Sequence, residues 1–344
     1  MKKKLKKTLA GCLAVAICLA AAAAAYYYAT FLKPNSAKGG RDIYVYRSTD
    51  YPTLLDSLAS SGSVKNIQSF KRAASHMDLE QNFKPGHYQL QGGLCNKQIV
   101  RVFAHGWQTP VNLVVKGYVR NLETMAGYLS KRLEADSTEI MAALADEQIM
   151  KAHGFRKETY ISMFIPNTYE VYWTITPLQF LDRMKKEYDS FWNDSRTAKA
   201  KEAGLSRDEV MTLASIVIEE TKYEPEMPTV AGVYINRLRK GMPLQADPTV
   251  KFALNDPSVR RILNQHLEIN SPYNTYKHSG LPPGPITIAP ATAVDAVLNY
   301  QKHNYLYFCA KETFDGRHNF AATYSEHMAN ARRYHAALNA RKKK

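Results

Sequence analysis

A chain of 344 residues that is 45% hydrophobic and 22% charged has enough apolar material for a substantial core and enough length for two domains, which excludes a disordered protein. Its formal net charge of +15 is loaded at the ends, where five lysines in MKKKLKK and four basic residues in RKKK supply nine of the fifteen. The body is only mildly basic, which argues against nucleic acid as a partner and singles out no polyanionic ligand.

From Thr8 to Leu32 the chain carries no charged side chain. These 25 residues suffice to cross a bilayer core of ~30 Å at 1.5 Å rise per residue. Tyr26, Tyr27 and Tyr28 fall toward the far end, where amphipathic rings favour the headgroup level. The preceding lysines predict an N-terminus in the cytoplasm, a single pass through the cytoplasmic (inner) membrane, and a body on the periplasmic or extracytoplasmic side. A cleaved signal peptide is the competing reading, since the alanine-rich end can offer an A-x-A site, but the apolar run is long for one. LAGC, ending at Cys12, resembles a lipobox with too few apolar residues before it. Cys12 and Cys18 lie in the span, so Cys95 and Cys309 can form one disulfide, though nothing implies it. Metal-ligand spacing, a P-loop and a G-x-G-x-x-G pattern are all missing, and no cofactor or metal is expected.

KPNSAKGGR, by its Pro, Gly and Ser content, predicts a flexible linker. IYVYRS alternates like a strand, DYPTLLDSLASSG reads as a helix closed by Gly62, and residues near 67–77 read as a second helix. FKPGHYQLQ predicts a turn entering a strand, and KQIVRVFAHG a short helix. VNLVVKGY predicts the strand that opens a larger domain, NLETMAGYLSKRLEAD and the segments to about 152 read as helical, and FIPNTYEVYW as a turn and an aromatic strand. PLQFLDRMKKEYDSFWND is an amphipathic helix, and SRDEVMTLASIVIEETKY begins with the Ser206/Glu209 spacing of a capping box. TVAGVYINRLRKG predicts a helix ending at Gly241. QADPTV, SPYNTY and GLPPGPI read as loops, NYLYFCA as a strand, and a last helix starts near Ser325. The division expected is a basic tail (1–7), a transmembrane signal anchor (8–32), a linker (33–40), a small module (41–109) and a larger domain (110–344). The fold class is α+β.

LASIVIEET ends in two adjacent acids, Glu219 and Glu220. At about 100° per residue, Glu220 lies within roughly 60° of Leu213, Ile216 and Val217, whereas Glu219 turns to the side of Thr212 and Ser215. Glu219 is thus expected to be a solvated charge. Glu220 sits on an apolar stripe, where a carboxyl group must be paired, protonated or open to a cleft. Burial would keep it protonated as a general acid; a structural carboxylate bonded to backbone or to Arg237 is the alternative the wheel leaves open.

The blocks LASIVIEET, VAGVYINRLRKGMPLQADPTV, SPYNTYKHSGLPPGPI and HNFAATYSEH, in that order, resemble the endolytic murein transglycosylase (YceG-like) family. FKPGHYQL, FIPNTYEVY and the single N-terminal span are similar to its members too. The resemblance implies a LysM-like α+β module at 41–109 and an α+β catalytic domain. It implies a lytic transglycosylase that cuts nascent peptidoglycan between MurNAc and GlcNAc within the strand, giving 1,6-anhydro-MurNAc ends and terminating elongation. Glycan strands, the membrane and peptidoglycan synthases are its implied partners. The family's catalytic glutamate falls on Glu220. Members commonly carry another glutamate two positions earlier, where this chain has Ile218. Gln245, Asp247, Tyr273, Asn274, Thr275, Tyr276, Pro283, Gly284 and His318, with Asn319 behind them, are candidates for sugar contact. Several of them can equally shape loops. Asn236 and Arg237 are candidates for buttressing Glu220. A muramidase using water, or a non-catalytic glycan-binding scaffold, are the rival functions.

Overall fold

The computed structural model describes residues 2–342 apart from Gly40 and Pro257, so Gly40 of the expected linker and the final two lysines lie outside the described residues. The chain divides into two compact units. The first comprises Met1–Asn112, Arg132–Glu134 and Glu170–Ile175; the second comprises Leu113–Lys131, Ala135–Tyr169 and Thr176–Lys344.

In the first unit, α1 (Lys2–Tyr27) runs unbroken into a π-helical turn at Tyr28–Leu32. An alanine-rich run without proline offers nothing to stop a helix. Its apolar stretch is exposed along its length and fits a single-pass membrane anchor. Residues 34–37 after it are held in place, unlike the flexible linker that the composition predicts. Pro34 bridges to Cys95 and Ser36 to Val64 in isolated antiparallel pairs. Asn35 is buried, with Nδ2 donating to the Asn96 Oδ1 (2.6 Å) and to the Asn66 carbonyl (2.9 Å), while its Oδ1 accepts from the Asn66 N–H (2.8 Å). Asn96 in turn donates to the Thr30 carbonyl at 2.8 Å, tying the end of the apolar helix to the folded module. Replacing Asn35 with Ala strands these groups inside the protein. It is expected to cost about 2–3 kcal/mol, read as a lower urea midpoint and as new proteolytic nicking near 33–40.

The rest of this unit is β1 (Asp42–Val45), α2 (Tyr51–Ser60), α3 (Ile67–His76), α4 (Leu79–Asn82), β2 (Gly86–Gln89) and α5 (Asn96–His105). The strands pair antiparallel with Ile43 opposite Tyr88 and Val45 opposite Gly86. Alternation sends Ile43 and Val45 into a core with Leu54, Leu58, Phe70, Ile99 and Phe103. Asp50 and Asn66 cap α2 and α3 by accepting from the N–H groups of Thr53 and Ser69.

The second unit is mostly helical. The chain enters it along β3 (Val111–Val115), which pairs with β4 (Asn167–Val171); α6 (Leu122–Leu129), α7 (Ser137–Ala145) and α8 (Glu147–Ala152) lie between them in sequence. Then follow α9 (Pro177–Phe191), α10 (Asp194–Ala203), α11 (Arg207–Glu220), α12 (Met227–Arg239), α13 (Asp247–Leu254), α14 (Ala291–Leu298), the antiparallel pair β5 (Tyr307–Ala310) and β6 (His318–Ala321), and α15 (Tyr324–Lys342). α11 is the hub, packed on α10, α12, α13 and α14. QADPTV is not wholly a loop: α13 starts at its aspartate and takes Pro248 in the first turn, where a missing N–H costs nothing. α14 and β6 also lie beyond the elements predicted. Cys95 and Cys309 are free.

Candidate active site

α11 begins as the sequence predicts, with a reciprocal cap in which the Ser206 N–H donates to Glu209 Oε2 (2.8 Å) and the Glu209 N–H to Ser206 Oγ (3.3 Å). From Val210 to Ile218 every residue is buried. Glu220 ends the helix half-buried, beyond Ile216 and Val217. The Tyr234 hydroxyl, reaching over from α12, donates to Glu220 Oε1 at 2.7 Å. Burial pushes the Glu220 carboxyl up to about 7. The negative charges of Asp247 and Glu219 push the same way, while the Tyr234 hydrogen bond and the Arg237 guanidinium oppose them.

Glu219 is not the solvated charge that the helical wheel suggests. Its side chain is only 15% exposed and its Oε2 accepts from Arg120 Nη2 at 2.7 Å. The wheel fails there because α11 has no wet face from Val210 to Ile218: Thr212 and Ser215, on Glu219's side, are buried as well, and Ser215 Oγ accepts from the Ile286 N–H (3.0 Å). Ile218 is 2% exposed, and its carbonyl accepts from Lys222 Nζ at 2.7 Å.

The loop before α13 closes the other side of the site. Arg237, 8% exposed, donates through Nε to the Leu306 carbonyl (2.6 Å) and through Nη1 to the Leu244 carbonyl (2.9 Å) and Gln245 Oε1 (3.3 Å). It fixes the loop and contributes positive charge near Glu220 without a direct ion pair to it. Gln245 is exposed and holds φ at 50°, the left-handed region that non-glycine residues adopt only when the surroundings compel it. What compels it is Thr275, whose carbonyl accepts from the Gln245 N–H (3.0 Å) and whose hydroxyl accepts from the Ala246 N–H (2.9 Å). Asp247 is exposed, and its Oδ1 accepts from the Tyr276 hydroxyl at 2.6 Å. Burial and this bond push the Tyr276 phenol far up, so it stays a donor.

Two of the candidates for sugar contact turn out to be spent inside the protein. Asn274 is wholly buried, its Nδ2 donating to the carbonyls of Leu267 and Ile269 and its Oδ1 accepting from the Tyr276 N–H. Thr275 is 1% exposed and has the partners just given. Both hold the loop that presents Tyr276. His318 pairs through Nδ1 with Glu226 Oε2 (3.0 Å), and Asn319 donates to Glu312 at 2.6 Å. Asn236 donates to the carbonyls of His303 (2.7 Å) and Tyr305 (3.0 Å), which binds α12 to the segment before β5 and directs the side chain to that segment instead of to Glu220. Gly284 lies where a Cβ would run into the Glu158 carbonyl, so the GLPPGPI backbone can pass only with glycine there, and the Pro283 carbonyl accepts from Arg156 (3.4 Å). Tyr273 stands against the Phe252 ring, centroids 4.7 Å apart.

The structure therefore brings Glu220, Tyr234, Arg237, Gln245, Asp247 and Tyr276 into one neighbourhood. Tyr234 and Arg120 are additions that sequence reasoning did not single out. Tyr234 lies 14 residues beyond Glu220 on the next helix, and only the packing of α11 on α12 makes them partners. A half-buried carboxyl near neutrality with a fixed donor can give and take one proton within a single cycle. Because the Tyr234 bond favours the carboxylate, Tyr234→Phe is expected to move the Glu220 pKa further up. If the protonated acid is the working form, the alkaline fall of kcat/KM then moves to higher pH, and a pH–rate profile of the two proteins measures it.

A sequence model of the YceG-like family matches residues 43–333. The endolytic murein transglycosylase of Bacillus subtilis (strain 168) is 27% identical over 344 residues, covering 91% of this chain and 90% of that protein. That of Streptococcus pneumoniae serotype 2 is 27% identical over 306 residues, 79% of this chain, which spans about half (54%) of that longer relative. The crystal structure of a putative yceG-like protein from Listeria monocytogenes shares 25% identity with a TM-score of 0.57, over 85% of this chain and 99% of that one.

Proposed function

Because this chain belongs to the YceG-like family, we propose that it is a lytic transglycosylase that cuts peptidoglycan strands internally, between MurNAc and GlcNAc, and leaves 1,6-anhydro-MurNAc ends. The observation that carries this reading is the Glu220 carboxyl, half-buried, held by Tyr234, and brought to about 7.

One carboxyl group is enough for this reaction. A hydrolysing glycosidase uses two, the second acting on water or as nucleophile. In the transglycosylase the C6 hydroxyl of the same MurNAc is the nucleophile, held close by its own ring. Glu220 gives its proton to the glycosidic oxygen as the C1–O bond breaks and the GlcNAc side leaves with a hydroxyl. The resulting carboxylate then takes the proton from O6 as the O6–C1 bond closes, so Glu220 ends as it began and no water is consumed. A pKa near the working pH suits both transfers. In this reading the Asp247 carboxylate, steadied by Tyr276, offsets positive charge developing at C1.

Asp247 is also what would favour a muramidase, since it gives the site a second carboxylate. Mass spectrometry of released strand ends separates the two: anhydro ends support transglycosylation, whereas reducing MurNAc ends would sink it. The same products from wild type and Glu220→Gln would instead favour a glycan-binding scaffold. With the N-terminal lysines inside and the apolar helix in the membrane, the catalytic unit faces nascent strands next to the synthases that extend them, and cutting there ends elongation. In this reading residues 41–109 form a LysM-like module that holds glycan near the membrane.

A further inference from the structure

The second unit carries a groove of about 760 Å³ whose walls include Tyr118, Arg120, Asn121, Lys251, Phe252 and Tyr273. Of the candidates for sugar contact, only Tyr273 lines it. Glu220 does not, yet the groove is bonded to the last turn of α11. Arg120 holds Glu219, and Lys222, which donates to the Ile218 carbonyl, places its Nζ 4.0 Å from the Tyr118 ring centre. Phe252, also in the lining, belongs to α13, the helix that starts at Asp247. Tyr118 is 49% exposed and holds φ at 66°, a left-handed conformation uncommon for a ring-bearing residue.

The lining chemistry selects the occupant. Arg120 and Lys251 line the groove together with Glu123 and Asp256, so its formal charge balances and charge alone does not select the occupant. The lining combines three aromatic rings with hydroxyl and amide groups, which suits the apolar faces and polar rims of sugar rings. The volume accommodates more than one ring. We propose that this groove is a saccharide subsite that grips the glycan strand away from the bond held at Glu220. It explains how a single reacting carboxyl can act within a strand, because the strand is held on a second surface fixed to the same helix end. The identity of the occupant rests on the transglycosylase reading.

The test uses the full chain in detergent, in the Glu220→Gln background so that ligand survives, with purified peptide-free glycan strands as probe. Tyr273→Leu is expected to weaken binding on the order of tenfold, whereas Tyr273→Phe, which keeps the ring on Phe252, stays within about twofold. Lys251→Ala, which leaves the ring pair untouched, is expected to weaken binding several-fold and serves if Tyr273→Leu does not fold. In the active background the same changes raise KM for long strands much more than they lower kcat. Parent-like affinity of the folded Tyr273→Leu protein, or of Lys251→Ala where the former does not fold, overturns the subsite. Absence of anhydro ends from wild type refutes the catalytic reading separately, since the binding comparison does not depend on turnover.

Discussion

Glu220→Gln is expected to lower kcat for strand cleavage by about 10²–10⁴-fold while leaving the protein folded and able to bind glycan. Glutamine keeps the shape of the side chain and a carbonyl oxygen that can accept from the Tyr234 hydroxyl, so the 2.7 Å contact that orients the group need not be lost. What it cannot do is hand a proton to the glycosidic oxygen and take another from O6. Both transfers in the proposed cycle use the same group, so no other residue picks up half the work. The measurement is the initial rate of anhydro-end formation on uncut strands, with strand binding measured beside it. Cleavage within tenfold of wild type would remove Glu220 as the acid; loss of binding together with cleavage would point to a collapsed site instead.

How much of this site can be read from the sequence depends on how far apart its partners lie. The Ser206/Glu209 cap is legible because its partners are three residues apart, and the apolar span because it is continuous. Glu220 emerges from periodicity because its helical neighbours are local. Periodicity misplaces Glu219, since the hub helix is buried on every side from Val210 to Ile218 and polar residues such as Thr212 and Ser215 mark contacts with other elements instead of solvent. The order at residues 34–37 is illegible for a similar reason: composition reports turn chemistry, whereas Asn35 is held by Asn66 and Asn96, far along the chain. SPYNTY is legible as a loop, but not the split of roles within it, where Asn274 and Thr275 turn inward and Tyr276 reaches Asp247. The buried Ile218 leaves Glu219, tied to Arg120, as the nearest acid along α11.

The same carboxyl should also be visible in stability, with a definite sign. Glu220 takes its proton at about 7 in the folded protein and near its ordinary 4.5 when unfolded. Between those values the folded state holds a proton that the unfolded state has released, so folding stability falls as pH rises through this window. Below 4.5 both states are protonated and above about 7 both are ionised, so the effect is confined to that interval. The full difference corresponds to at most about 3 kcal/mol, less in proportion to the solvent that reaches this half-buried group. Glutamine carries no such proton. The stability of Glu220→Gln relative to wild type should therefore climb from pH 4.5 to about 7 and then level off, while titrating groups that do not feel the Glu220 charge cancel between the two proteins. Hydrogen exchange of the buried α11 amides reads this for the second unit alone. A constant offset between the proteins, whatever its sign, would leave that climb intact, because packing differences do not titrate. A difference that stays flat across the window would mean that Glu220 is an ordinary solvated carboxylate, and the single-acid mechanism would lose its proton donor at neutral pH. A climb, in an inactive protein that still binds strands, would tie the stability cost and the catalytic power to one ionisation.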